Sequence, residues 1–188
     1  MPLLQVIVAS TRPGRVGRAV GEWFADEARA DGVFSVELLD LTEVGLPFLD
    51  EPHHPRFRRY EHEHTRAWSA TIDRGDAYAF VMPEYNHGYS APLKNALDFL
   101  WQEWNDKPAI LVGYGGVSGD LRAITLFEPV LAAVRLHLAA EVPIPFVASF
   151  LRDRRIEPND PMVTGAKGAL AEAARLHVAL APLRTAAI

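Results

Sequence analysis

Residues 3–24 read LLQVIVASTRPGRVGRAVGEWF, and the stretch changes character twice. Residues 3–9 (LLQVIVA) form a nearly continuous apolar run, the pattern of a strand covered on both faces. Residues 10–15 are hydroxyls, arginines, a proline and a glycine, which is loop chemistry. From there Val16, Ala19, Val20, Trp23 and Phe24 recur at i, i+3, i+4, i+7 and i+8, one face of a helix. Strand, loop and helix in that order make one unit of a parallel α/β sheet.

The unit repeats along the chain. Further strands are predicted at 35–41 (SVELLDL), 77–82 (AYAFVM), 109–114 (AILVGY) and 144–149 (IPFVAS). Helices are predicted over 59–74, 93–104, 120–138 and 164–183. In the second of these, Leu93, Ala96, Leu97, Leu100, Trp101 and Trp104 share a face, and Lys94 and Asp98 form an i,i+4 pair. Pro129 is expected to kink the helix over 120–138. Five β–α repeats with no break in composition predict one doubly wound parallel sheet and a single domain over residues 1–188. The long irregular stretch 45–58 (GLPFLDEPHHPRFR) is of a length that serves function or covers a neighbour.

Composition narrows the chemistry. With 19 basic and 24 acidic residues the net charge is −5, the wrong balance for bulk attraction to nucleic acid or an anionic membrane. No cysteine is present, which excludes disulfides, thiolate ligands and thiol nucleophiles. No apolar run reaches the roughly 18 residues of a membrane span, so the expectation is a cytoplasmic protein.

Ligands of open parallel sheets bind beyond the carboxyl ends of the strands. That rule nominates three loops. Residues 10–17 (STRPGRVG) bring hydroxyls and the guanidiniums of Arg12 and Arg15 to a helix N-terminus, where an anion is favoured. Residues 83–92 (PEYNHGYSAP) crowd aromatics, an amide and an imidazole into a turn suited to a flat heteroaromatic edge. Residues 113–119 (GYGGVSG) hold four glycines, which let backbone approach a ligand closely. The first loop matches neither GxGxxG nor the P-loop pattern.

These same residues resemble the NAD(P)H-dependent FMN reductases, a flavodoxin-like family that includes quinone and azo-dye reductases. The similarity runs through ASTRPGRVGRAV, PEYNHGYSAPLKNALDFLWQEW with KPAILV after it, and GYGGVSGDLRA; DEPHHP and YEHEHTRAW share it. It implies a three-layer sandwich whose five parallel strands lie in order 2-1-3-4-5. It also implies FMN, with the phosphate at Ser10, Arg12, Arg15 and the amides of Val16 and Gly17. The ring would lie against Pro83, Glu84, Tyr85, Asn86 and His87 and against Tyr114, Gly115 and Gly116. Ala9 stands where the family usually has glycine, and Gly17 has no side chain to offer a phosphate. A homodimer or homotetramer meeting through 93–104 and 120–138 is implied as well, and Trp101 and Trp104 are candidates to reach a neighbouring subunit.

The mechanism expected is ping-pong. NAD(P)H, the co-substrate, reduces FMN and leaves; a quinone, azo compound, free flavin or metal ion then takes its place, with no catalytic side chain required. Tyr85, His87 and Tyr114 are expected to shape the substrate slot, and Arg122 to meet a nicotinamide nucleotide phosphate. The alternative is a flavin-binding electron carrier or redox sensor without enzymatic activity. Other patterns read as ordinary surface. His62 and His64 are expected on different faces of a helix and so not to share a metal. Asp40 is expected to cap its strand rather than hold a ribose.

Overall fold

The computed structural model describes residues 1–185. Five parallel strands, β1 (Leu3–Val8), β2 (Ser35–Asp40), β3 (Ala77–Pro83), β4 (Pro108–Tyr114) and β5 (His137–Ile144), lie in the order β2-β1-β3-β4-β5. The two middle strands β3 and β4 are buried along their whole length, and β1 nearly so. That is what their continuous apolar runs predict for strands with helices on both faces.

One face carries α1 (Gly17–Asp31) and α6 (Asp160–Thr185), packed on Leu4, Val6, Ala79, Val81, Ile110 and Val112. The other carries the short α2 (Leu41–Val44) with α3 (Glu63–Asp73), α4 (Ala91–Asp98) and α5 (Leu121–Ala133). Strand side chains alternate between the two cores, so Ile7, Phe80 and Leu111 face this second layer. A two-residue ribbon, β6 (Leu151–Arg152) and β7 (Arg155–Ile156), sits apart from the sheet.

Several boundaries differ from the sequence reading: the helix expected over 59–74 is Glu63–Asp73 and that over 164–183 is Asp160–Thr185, and three further elements shift more. The fifth strand is not 144–149 but His137–Ile144; residues 147–150 form a 3-10 turn. As an edge strand it is only half-buried and includes the exposed Glu141 and a proline, so its apolar signal is weak. The helix over 120–138 stops at Ala133, having run on through Pro129, because Arg135 turns the chain at φ 56° into β5. The helix over 93–104 ends at Asp98 and gives way to a 3-10 turn, Gln102–Trp104. Lys94 and Asp98 pair as expected, at 2.6 Å. Trp104 cannot reach another subunit: it is fully buried among Trp68, Tyr78 and Phe80.

Candidate functional site

The strand order reverses between β1 and β3, and the three nominated loops leave the same edge of the sheet there. They bond to one another. The Ser10 hydroxyl lies 3.0 Å from the Tyr85 hydroxyl, joining the first loop to the second. The Glu84 amide donates to the Tyr114 carbonyl at 3.4 Å, and the Ser118 hydroxyl donates to the Glu84 carboxylate at 2.9 Å, joining the second to the third. Ser90 closes the set by donating to the Ala9 carbonyl.

The first loop ends in a helix without a cap. Val16 occupies the N-cap of α1 and has no side chain able to bond the free amides, and the first turn holds no acid. The partial positive charge of a 15-residue helix is therefore left open to an anion. Arg12 is exposed beside it, with no ion-pair partner among the described residues. Arg15 is placed differently. Its terminal nitrogen meets Asp40 at 2.7 Å and its Nε is buried without a partner.

Asp40 does more than end a strand. It caps α2 by accepting from the Thr42 amide and receives both Arg15 and Arg18. Burial alone would raise its pKa, but these bonds outweigh burial and hold it below the usual carboxylate range. A carboxylate so engaged is poorly free to hold a ribose.

Gly17 is required by close approach, because a Cβ there would collide with the Tyr114 hydroxyl. The Tyr114 ring is itself buried under α1, and its hydroxyl has no hydrogen-bond partner. Burial pushes that hydroxyl's pKa upward. Gly115 and Gly116 follow, and above Gly116 no atom lies within 4 Å of where a Cβ would be.

The second loop is a two-residue turn. Tyr85 and Gly88 exchange hydrogen bonds at 2.9 and 3.0 Å, with Asn86 and His87 at φ 49° and 68°. Left-handed backbone at two residues that carry side chains is strain of the kind held at functional sites. Tyr85, Asn86 and His87 are exposed, while Pro83 is buried at the end of β3. Arg122 reaches back from α5 to Glu84 at 3.0 Å. Burial works to raise the Glu84 pKa, yet the bonds from Arg122 and Ser118 keep it lowered.

An apolar groove of about 500 Å³ opens beside this edge, between Thr11, Leu46, Phe48, Ala91 and Asn95. The sequence signals for it are the length of the 45–58 stretch and the apolar Phe48 within it, which the fold leaves exposed. Elsewhere, His62 and His64 do not point apart. His62 is the extended N-cap of α3, so its ring stacks on His64 at 5.2 Å. Both rings bond to Asp50, and among the described residues no group of three or more His, Asp and Glu is placed to hold a metal.

A model of the NADPH-dependent FMN reductases matches residues 2–148. An NAD(P)H-dependent FMN reductase of Schizosaccharomyces pombe is 38% identical over 144 residues, 76% of this chain and 72% of that protein. One from a Nectria species is 34% identical over 155 residues, 79% of this chain and 77% of that protein. In shape, a flavoenzyme NAD(P)H:(acceptor) oxidoreductase of Paracoccus denitrificans superposes with a TM-score of 0.72 at 19% identity, covering 95% of this chain and 98% of the other. With the family match spanning all three loops of the sheet edge, this chain belongs to the NADPH-dependent FMN reductase family, a family of oxidoreductases.

Proposed function

We propose that the chain is an FMN-dependent NAD(P)H oxidoreductase that works in ping-pong order, passing reducing equivalents to a quinone, an azo compound, a free flavin or a metal ion. The observation that carries this reading is the uncapped N-terminus of α1, facing the strained Tyr85–Gly88 turn and the open Gly115–Gly116 backbone across one sheet edge. The residues fit FMN: an anion seat and a flat, backbone-lined cradle adjoin each other. Bound FMN supplies hydride acceptance and donation, which no side chain of this chain can perform.

The chain's own part is to bind and orient. The amides of Val16 and Gly17 and the guanidinium of Arg12 hold the phosphate, with Ser10 beside them. Arg15 keeps the loop in shape through Asp40. Pro83, Glu84, Tyr85, Asn86 and His87 meet the ring from one loop and Tyr114, Gly115 and Gly116 from another, Tyr114 through its backbone, since its ring is buried. Exposed Tyr85 and His87 line the side where NAD(P)H and then the acceptor stack. Arg122, anchored on Glu84, offers a nucleotide phosphate its remaining guanidinium nitrogens. The same chain is read as a homodimer or homotetramer, supported by Leu121 and Leu126, which α5 leaves exposed.

Purified protein should be yellow, release FMN on denaturation, and bleach on anaerobic addition of NADPH or NADH. Failure of both nicotinamides to reduce bound flavin would transfer the reading to an electron carrier or sensor. Arg12→Ala should weaken FMN binding by about 10- to 100-fold, the worth of a charge-assisted bond to phosphate. Unchanged affinity in a flavin-fluorescence titration would return Arg12 to the solvent.

A further inference from the structure

Asp120 is unusual among buried acids in two ways. Its side chain is fully buried. Neither carboxyl oxygen has a hydrogen-bond partner. Its backbone takes φ 79°, the left-handed region that favours glycine. It stands at the N-cap of α5, yet its carboxyl bonds none of the helix amides. Instead it is pressed under the end of β4, where a Cβ on Gly113 would meet the Asp120 Cβ at 2.6 Å and Oδ2 at 2.7 Å.

No side chain pairs with a charge there, and the N-terminus of α5, whose amides the carboxyl does not bond, offsets it only in part. Glu84, from the end of β3, carries the same sign. Arg122, on α5, is committed to Glu84, and Tyr114, from β4, is a neutral phenol. Burial, and then the Glu84 charge, raise the Asp120 pKa to about 8, so at neutral pH it is a carboxylic acid.

We propose that Asp120 is a positioning residue for the third loop, holding residues 113–120 packed against β4 and Glu84 only while its carboxyl keeps its proton. The proposal rests on the reading of Tyr114, Gly115 and Gly116 as ring-binding. Loss of the proton leaves a bare charge under Gly113, and the loop must lift to hydrate it. In the lifted state the acid returns to its ordinary pKa near about 4. The packed loop therefore holds a proton that the lifted loop releases. Packing weakens as pH rises from about 4 and levels off above about 8. A ligand that needs the packed loop loses affinity over the same window.

Full-length wild type and Asp120→Asn test this, since asparagine tolerates positive φ and cannot ionise. Hydrogen exchange is followed for the 113–121 peptide from pH 6 to 8.5. The wild-type loop should lose protection relative to the variant by about fivefold or more, while the β1 peptide stays matched. The ratio of FMN dissociation constants, wild type over variant, should climb by a similar factor; taking the ratio cancels titration of the FMN phosphate. Parallel exchange at every pH overturns the proposal, and so does diverging exchange with a flat ratio. If neither protein binds FMN, the flavin reading fails and the exchange alone decides on Asp120. Should Asp120→Asn not fold, Asp120→Gly replaces it, as it suits the backbone and lacks the carboxyl.

Discussion

Asp120 and Glu103 are both fully buried acids, and they lie at opposite ends of the sheet. Glu103, just before β4, accepts from the Tyr60 hydroxyl at 2.9 Å and the Ser69 hydroxyl at 2.6 Å. The Trp101 amide and the Arg58 guanidinium complete its shell. Asp120, just after β4, has none of this. The same contrast separates two buried tyrosines. Tyr78, at the amino end, donates to the Ile72 carbonyl and receives Lys107, whereas the Tyr114 hydroxyl is left alone. Of seven orphaned buried polar atoms among the described residues, Arg15 Nε, the Tyr114 hydroxyl and both Asp120 oxygens belong to the carboxyl end. The amino end is nearly finished as structure, Gln5 Oε1 being its one exception among these groups. The other carries groups whose bonds are incomplete within the chain, which is where a ligand site is expected.

The contrast can be broken by experiment. The largest effect should come from Glu103→Ala, which strands the Ser69 and Tyr60 hydroxyls and removes one of the two carboxylate partners of Arg58; about 2 kcal/mol or more of stability should be lost, as for buried donors left unpaired. A loss under about 1 kcal/mol in urea unfolding would mean that the amino end is no better satisfied than the other.

A paired substitution comes next. Tyr78→Phe should cost about 1–2 kcal/mol, because it removes the hydroxyl's bonds to the Ile72 and Glu103 carbonyls and to Lys107. Tyr114→Phe in the FMN-free protein should be neutral or stabilising by up to about 1 kcal/mol, because it deletes an orphan. Equal losses would erase the distinction. The smallest effects are in the slopes with pH. Burial first of all lowers the Lys107 pKa to about 8, so the unfolded chain binds the extra proton between about 8 and the ordinary lysine range. Its charge therefore costs stability fully below about 8, and the cost is relieved as pH rises above that. Asp120 has the opposite sense: its cost is absent below about 4 and complete above about 8. Melting curves of Lys107→Met should lose the alkaline slope, and those of Asp120→Asn the slope below it; matched slopes in either variant and wild type would contradict the assignment.

Much of the site is legible in the amino-acid order. The apolar runs of β1, β3 and β4 locate three strand ends, and the hydroxyl-, arginine- and glycine-rich loops after them can be read locally. β5 is not legible in this way, because an edge strand buries one face poorly and HLAAEVPI lacks the apolar continuity of the middle strands. Arg15 departs from its local reading in one respect: its guanidinium lies on Asp40, 25 residues ahead, which no local pattern displays. His62 and His64 mislead for a smaller reason, since one residue lies in the helix and the other just outside it.

The sequence alone determined the alternation of strand and helix, the absence of thiol chemistry, and which loops carry the arginines, hydroxyls, aromatics and glycines of the proposed site. Periodicity and residue type are local properties, and local physics suffices for them. Which polar groups end satisfied was decided only by the tertiary structure. Glu103 and Asp120 are each an acid beside a helical turn, and nothing within a few residues of either tells them apart. Tyr60 and Ser69 are brought to Glu103 across 43 and 34 residues, while Gly113 and Glu84 close over Asp120 and offer it nothing. Burial and partnership are properties of the packed chain, and so the division between the better-satisfied end and the end proposed to bind the ligand appears only once the strands are in register.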